Sequence, residues 1–235
     1  MQKTSALYGQ LIRDPGHRKE VRADISGEWY GEDRIVALST AGGIFSAPDI
    51  GGCACRQIDL ALRSAGTIPK QAKIKIFVRL VKGELASEWL PKGEFFLSTR
   101  RRDKRTGQLQ LHGFDAMLRA NGVWLTEDYV HAHWPMEQRE AVEDIAARMG
   151  VEVDPRTWDA LRAPFPVDYP VDENGDLTMT DILEGIAAAN VGNWLISDEG
   201  RLLLLGLGDI PPETNYLVTE YGAAITLGGV KILVG

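Results

Sequence analysis

Few residues in this chain have the types and spacing that chemistry requires. Cys53-Ala54-Cys55 and His131-Ala132-His133 together contain the donor atoms of a Cys₂His₂ metal centre. Structural zinc pairs normally place two or more residues between ligands, because a one-residue gap strains both onto one ion. In a strand, i and i+2 share a face, so each pair could still point one way. The competing reading is two small buried thiols, and it is the one adopted. A disulfide across so short a gap is strained, so free thiols in a reducing compartment are expected. Asp172, Asn174 and Asp176 have the spacing that opens a calcium loop. Leu177, however, stands where that loop needs glycine, and Leu183 where it needs the bidentate glutamate. A polar turn is expected there instead.

Nucleophile and phosphate motifs are missing. Gly-x-Ser-x-Gly, His-Glu-x-x-His, the phosphate loop ending in Gly-Lys-Ser/Thr, and Gly-x-Gly-x-x-Gly after a strand do not occur. Leu205-Gly206-Leu207-Gly208 has two of the glycines but follows a hairpin. No catalytic, cofactor-binding or metal-binding residue is assigned, and no enzymatic activity or cofactor is expected. Arg100 to Arg105 carries five positive charges in six residues. With a net charge of −7 the chain lacks the basic excess that phosphate binding needs. The cluster is therefore read as an exposed or inter-subunit hairpin tip. The same charge disfavours an anionic membrane surface, and the longest apolar run, Leu202 to Leu207, is far too short to cross a bilayer. The N-terminus has no signal-peptide core, so synthesis and assembly in a cytoplasm are expected.

The elements that must position these residues are mostly strands. The 235 residues can bury a sizeable core, and the 25 glycines imply many turns. Arg34–Thr40, Cys55–Arg63 and Lys73–Val81 alternate apolar with polar residues, as strands with one wet face do. Phe95–Leu97 and Leu109–Leu111 form a hairpin around the basic tip, with Gly107 suited to a positive φ. Asp115–Arg119 reads as a short helical turn. Pro135 then introduces a helix over Met136–Met149, capped by Gly150. A second helix spans Met179–Ala189, with Thr178 and Asp181 as a capping box. A hairpin follows over Asn193–Leu205, turning at Asp198-Glu199-Gly200. Tyr216–Val234 is again β-like, turning at Gly228-Gly229.

Four of these pieces, in order, carry a family resemblance. They are Glu88-Trp89-Leu90-Pro91-Lys92-Gly93; Phe95 to Thr99 with Thr106-Gly107-Gln108-Leu109 and Gly113-Phe114-Asp115-Ala116-Met117-Leu118; Ala146 to Val151; and Thr178 to Leu183 with Ala187 to Trp194 and Gly200-Arg201-Leu202. The pattern, from about Ile35 to Val230, resembles the baseplate hub and tail-associated proteins of tailed bacteriophages and prophages. The resemblance implies an α+β, mainly β fold: an antiparallel β-barrel-like tube domain (1–118 plus 206–235) interrupted by a small α/β insert domain (119–205). It implies a structural role in the virion tail, as the hub ring that joins the tail tube to the spike or tip. Members form homotrimers and contact the tail tube or distal tail protein, the tip or spike protein and the tape measure. DNA passes through their lumen, for which an acidic wall is suitable. Members usually run on into a second barrel; here 206–235 is expected to complete the first. Two other classes were weighed: a tail-tip enzyme such as a peptidoglycan hydrolase, which would need a motif this chain lacks, and a carbohydrate-binding module suggested by six tryptophans. Against the latter, Trp124 and Trp134 are expected to pack the insert against the barrel.

Overall fold

The computed structural model describes residues 4–42, 50–63, 66–124, 134–168 and 177–206, together with the backbone of 226–227 and 230–231. A short helix α1 (Ala6–Leu11) precedes three strands, β1 (Arg18–Ile25), β2 (Glu28–Tyr30) and β3 (Ile35–Ala41). After them come β4 (Cys53–Ala54), β5 (Gln57–Leu62), β6 (Lys73–Lys82), β7 (Leu85–Ala86), β8 (Leu90–Arg102) and β9 (Leu109–Phe114). A 3₁₀ turn over Ala116–Asn121 leads to helices α2 (Gln138–Met149), α3 (Thr157–Ala160) and α4 (Met179–Ala189). Strands β10 (Gly192–Ile196) and β11 (Leu202–Gly206) follow, and β12 (Thr226–Leu227) pairs with β13 (Val230–Lys231); the turn expected at Gly228-Gly229 lies outside the described residues.

Eight strands build one antiparallel sheet in the order β2-β1-β6-β8-β9-β5-β3, with β7 beside β6. Its residues alternate as expected: in β6, Ile74, Ile76 and Leu80 are buried while Lys73 and Lys82 are exposed. The sheet curls into a half-barrel. Register shifts at Ile76/Phe77, Leu97/Thr99 and Ile35/Ala37 add local twist. The edge strands β2 and β3 are joined through Gly31–Arg34, where the Ile35 N–H donates to the Gly31 carbonyl at 2.9 Å. The concave side holds one core, centred on Ile58, Leu60, Leu62, Ile74, Ile76, Phe95 and Leu111.

The helices and the hairpin β10–β11 enclose a second core around Trp124, Val142, Ile145, Leu183, Trp194 and Leu202. Their small sheet takes a third strand from far back in the chain: β4 pairs in parallel with β10 through Cys53↔Trp194 and Ala54↔Leu195. The strand expected over Cys55–Arg63 is β5 of the large sheet, and β4, just before it, belongs to the small one. Helix α2 begins at Gln138, later than Pro135 suggests. Met136 is committed to extended backbone by reciprocal 2.8 Å hydrogen bonds with Val167. Its end is as expected, with Gly150 at φ 72°. The capping box is present in full: Thr178 Oγ1 accepts from the Asp181 N–H at 3.2 Å and Asp181 accepts from the Thr178 N–H at 2.8 Å. Thr178→Ala removes one half of it and is expected to lower stability by about 1 kcal/mol, read as a shift in the urea midpoint.

Trp124 and Trp134 pack against each other inside the second core rather than across the two units. Their rings stand edge to face at 5.6 Å, and Trp124 Nε1 donates to Asp144 at 2.8 Å. The aromatic ring that does reach across is Phe96 of β8, which packs on the second core beneath the Arg119 guanidinium at 3.8 Å.

Candidate functional site

Arg56 stands at the start of β5, where the chain leaves the small sheet for the large one. Its guanidinium reaches Asp115 at 3.4 Å, Asp198 at 2.9 Å and the carbonyl of Ile196 at 2.8 Å. Asp115 ends β9 and caps the 3₁₀ turn through the Met117 N–H at 3.0 Å. It also accepts the Arg56 backbone N–H at 3.0 Å. Its side chain is fully buried, and burial raises its pKa despite these donors. Lys92 of β8 meets the second oxygen of Asp198 at 3.2 Å. The cluster therefore ties three strands of the half-barrel to the β10–β11 turn. It has the chemistry of a joint, with every named charge committed to holding two bodies in one orientation.

The basic hairpin tip projects from β8 and β9, and Gly107 has φ 71° as its turn requires. Asp103 organises the turn by accepting the N–H groups of Arg105 at 2.8 Å and Thr106 at 2.9 Å, which hold its carboxyl below the usual range. Arg100 donates to the Ile68 carbonyl and Arg102 to that of Gly107, so both serve the fold. The side chains of Arg101, Lys104 and Arg105 are exposed.

Cys53 and Cys55 are free and partly buried. Burial pushes each thiol up to about 12, with help from Glu184 and Asp181 at Cys53 and from Asp115 at Cys55. Thiols so far from ionisation are poor nucleophiles and poor metal ligands. Among the described residues no cluster of three or more potential metal ligands occurs; His131 and His133, and the polar loop at Asp172–Asp176, lie outside them.

At an edge of the half-barrel runs β3. Among the described residues it pairs with β5 alone, and none of its seven residues is charged: Ile-Val-Ala-Leu-Ser-Thr-Ala. Ile35 and Leu38 pack towards the core, while Val36 is 40% exposed. Soluble proteins usually protect such an edge with lysine, proline or a covering segment. Alternation marks this strand in the sequence, but its place at an edge is revealed only by the pairing order. Strands β1 and β2 are additional to those expected, although Val21, Ala23 and Ile25 alternate.

These features define a mainly β, α+β protein: a curled antiparallel half-barrel joined by a buried polar node to a small α/β unit. No family model and no curated protein matches the chain. In fold it is similar to the 43 kDa tail protein of prophage MuSo2 from Shewanella oneidensis, with a TM-score of 0.50 at 12% identity over 86% of this chain and 62% of that one. The tail protein from Neisseria meningitidis MC58 aligns at 14% identity over 79% of this chain and 50% of its own, with a TM-score of 0.48. The chain thus spans less than two thirds of either protein's length.

Proposed function

We propose that this chain is a structural subunit of a phage or prophage tail and forms the hub ring at the tail tip. In that place it joins the tail tube or distal tail protein to the tip or spike protein and meets the tape measure. The observation that carries the reading is the uncharged outer edge of β3, unpaired among the described residues and presented on a fold similar to that of a prophage tail protein. An edge of this kind takes a strand from a neighbouring subunit, whose backbone groups satisfy its open N–H and C=O groups. The buried Arg56 node supports it, because a ring subunit must hold its two bodies at a fixed angle. The domain division that goes with this function is a barrel from 1–118 and 206–235 with an insert over 119–205, to which β4 lends a strand.

Native mass spectrometry and light scattering test the proposal. The wild-type chain is expected to form a homotrimer. Val36→Lys, which puts a charge on the exposed edge without touching the core, is expected to shift the mass to that of a monomer with an unchanged far-UV circular dichroism spectrum. A wild-type chain that stays monomeric at high concentration and does not bind purified tail tubes would overturn the proposal.

A further inference from the structure

The outer face of β1 and β6 holds an arginine that no acid among the described residues contacts. With Ala23 and Ile25 buried, alternation puts Glu20, Arg22 and Asp24 on the opposite face, in register with Arg79, Phe77 and Lys75. Glu20 is held by Arg79 at 2.7 Å and also pairs with Arg18. Asp24 accepts the Gly27 N–H at 2.7 Å. Arg22 faces an aromatic ring instead of an acid. Its guanidinium carbon lies 4.1 Å from the centre of the Trp29 ring, 4.3 Å from that of Trp89 and 5.3 Å from that of Phe77. Its Nε is buried without an acceptor, and among the described residues it forms no ion pair. Burial, followed by the nearby Arg79 charge, lowers its pKa.

Stacking on indole faces is worth about 0.5–2 kcal/mol but leaves the in-plane N–H donors unanswered, which is costly for a desolvated cation. Arg22 lines a cleft of about 380 Å³ bounded by Trp29, Trp89 and the turn Gly31–Asp33. The acids around this cleft engage other cations. Glu20 has Arg79, Glu32 has Arg18 at 3.1 Å, Glu28 has Arg34 at 2.7 Å, and Asp33 lies beside the same Arg34 charge. Arg22 is therefore the cation of this cluster that no acid contacts. Among the described residues β2 covers only Ala23–Ile25, and no strand pairs with β1 on that side from Arg18 to Arg22.

We propose that the Arg22 cleft receives an aspartate or glutamate side chain from a neighbouring protein subunit, whose two carboxylate oxygens meet the guanidinium fork between Trp29 and Trp89. The inference rests on the assembly reading above for the source of that carboxylate. Arginine gripped by tryptophans, with one indole still 47% exposed, is the composition that dominates binding energy at protein interfaces. A carboxylate would give the Arg22 donors the acceptor that the fold does not supply, and the flanking rings keep water from the pair.

The test uses the isolated full-length chain and the indole N–H signals in ¹H–¹⁵N NMR spectra, assigned with Trp29→Phe and Trp89→Phe. N-acetylglutamate N-methylamide and its glutamine counterpart are titrated at matched ionic strength. The glutamate amide is expected to move both signals saturably and the glutamine amide to leave them in place. Arg22→Met should abolish the response, and Arg22→Lys, which keeps the charge but loses the fork, should weaken it about tenfold. Arg22→Met should also keep the urea midpoint at or above the wild-type value, since it removes an unpaired cation. An equal response to both amides, a response that persists in Arg22→Met, a marked fall in that variant's midpoint, or a response to neutral chito-oligosaccharides alone would overturn the proposal. The titration does not depend on assembly. A trimer without carboxylate binding refutes the cleft alone, and carboxylate binding by a chain that never assembles refutes the tail reading alone.

Discussion

Replacing Arg56 by methionine is expected to destabilise the protein by about 3 kcal/mol at neutral pH, because it strands a buried carboxylate rather than merely deleting a surface pair. Asp115 is fully buried and loses its one charged partner when the guanidinium is gone, keeping its two backbone donors, while Asp198 and the Ile196 carbonyl lose their Arg56 donors. The loss has a pH signature. The folded pKa of Asp115 is already raised, with burial as its largest cause, and removing the adjacent positive charge raises it further. A carboxyl whose folded pKa exceeds its unfolded value gains stability as protonation sets in. That contribution is fully present below the unfolded pKa and is lost as pH rises through the folded one. The deficit of Arg56→Met relative to wild type should therefore be largest near pH 7 and shrink as the pH falls towards the ordinary carboxylate range. Urea midpoints measured across that range check it. A double variant, Arg56→Met with Asp115→Asn, should cost clearly less than the sum of the single changes, since the two share one buried pair. A deficit independent of pH would mean that Arg56 acts through packing alone.

Trp194→Ala should be at least as damaging, with a loss of about 3–5 kcal/mol from cavity and transfer effects together. Trp194 is fully buried in the second core, pairs with Leu204 across β10–β11 and donates its indole N–H to the Leu183 carbonyl at 2.7 Å. It thus fastens α4 to the small sheet. Domains of this kind are stable by only about 5–15 kcal/mol in all, so the variant should show a much lower urea midpoint or fail to accumulate folded. Trp194→Phe keeps most of the volume and loses the hydrogen bond, and is expected to fall between the two. Hydrogen exchange should place the loss in α2, α4 and β10–β11, with the half-barrel strands less affected, because the two cores are built from separate sets of residues.

These two residues also mark the boundary between local and long-range information. Helix α4, its capping box and the β10–β11 hairpin follow from neighbours a few positions apart, so Thr178, Asp181 and Gly200 announce them in the sequence. The same holds for β6, for the hairpin β8–β9 around Gly107, and for Gly150 as the stop of α2. Short-range propensity and one-sided burial determine such elements. The mainly β, α+β class was legible for the same reason.

Tertiary structure alone decided the rest. Nothing near Cys53 says that it pairs in parallel with Trp194, 141 positions later, because a two-residue strand carries no period of its own. The alternation of Glu20, Arg22 and Asp24 with Val21, Ala23 and Ile25 stands in the sequence, but that β1 lies between β2 and β6 is decided by pairing. Arg56, Asp115 and Asp198 are unremarkable polar residues until folding removes water from between them. Likewise, an uncharged stretch such as Ile35–Ala41 reads equally well as a central or an edge strand, and only the order of the sheet leaves its backbone open. The absence of assigned catalytic chemistry was a statement about residue types and spacing. Where this protein makes its contacts depends instead on which strand edge and which unpaired cation the fold leaves on the outside.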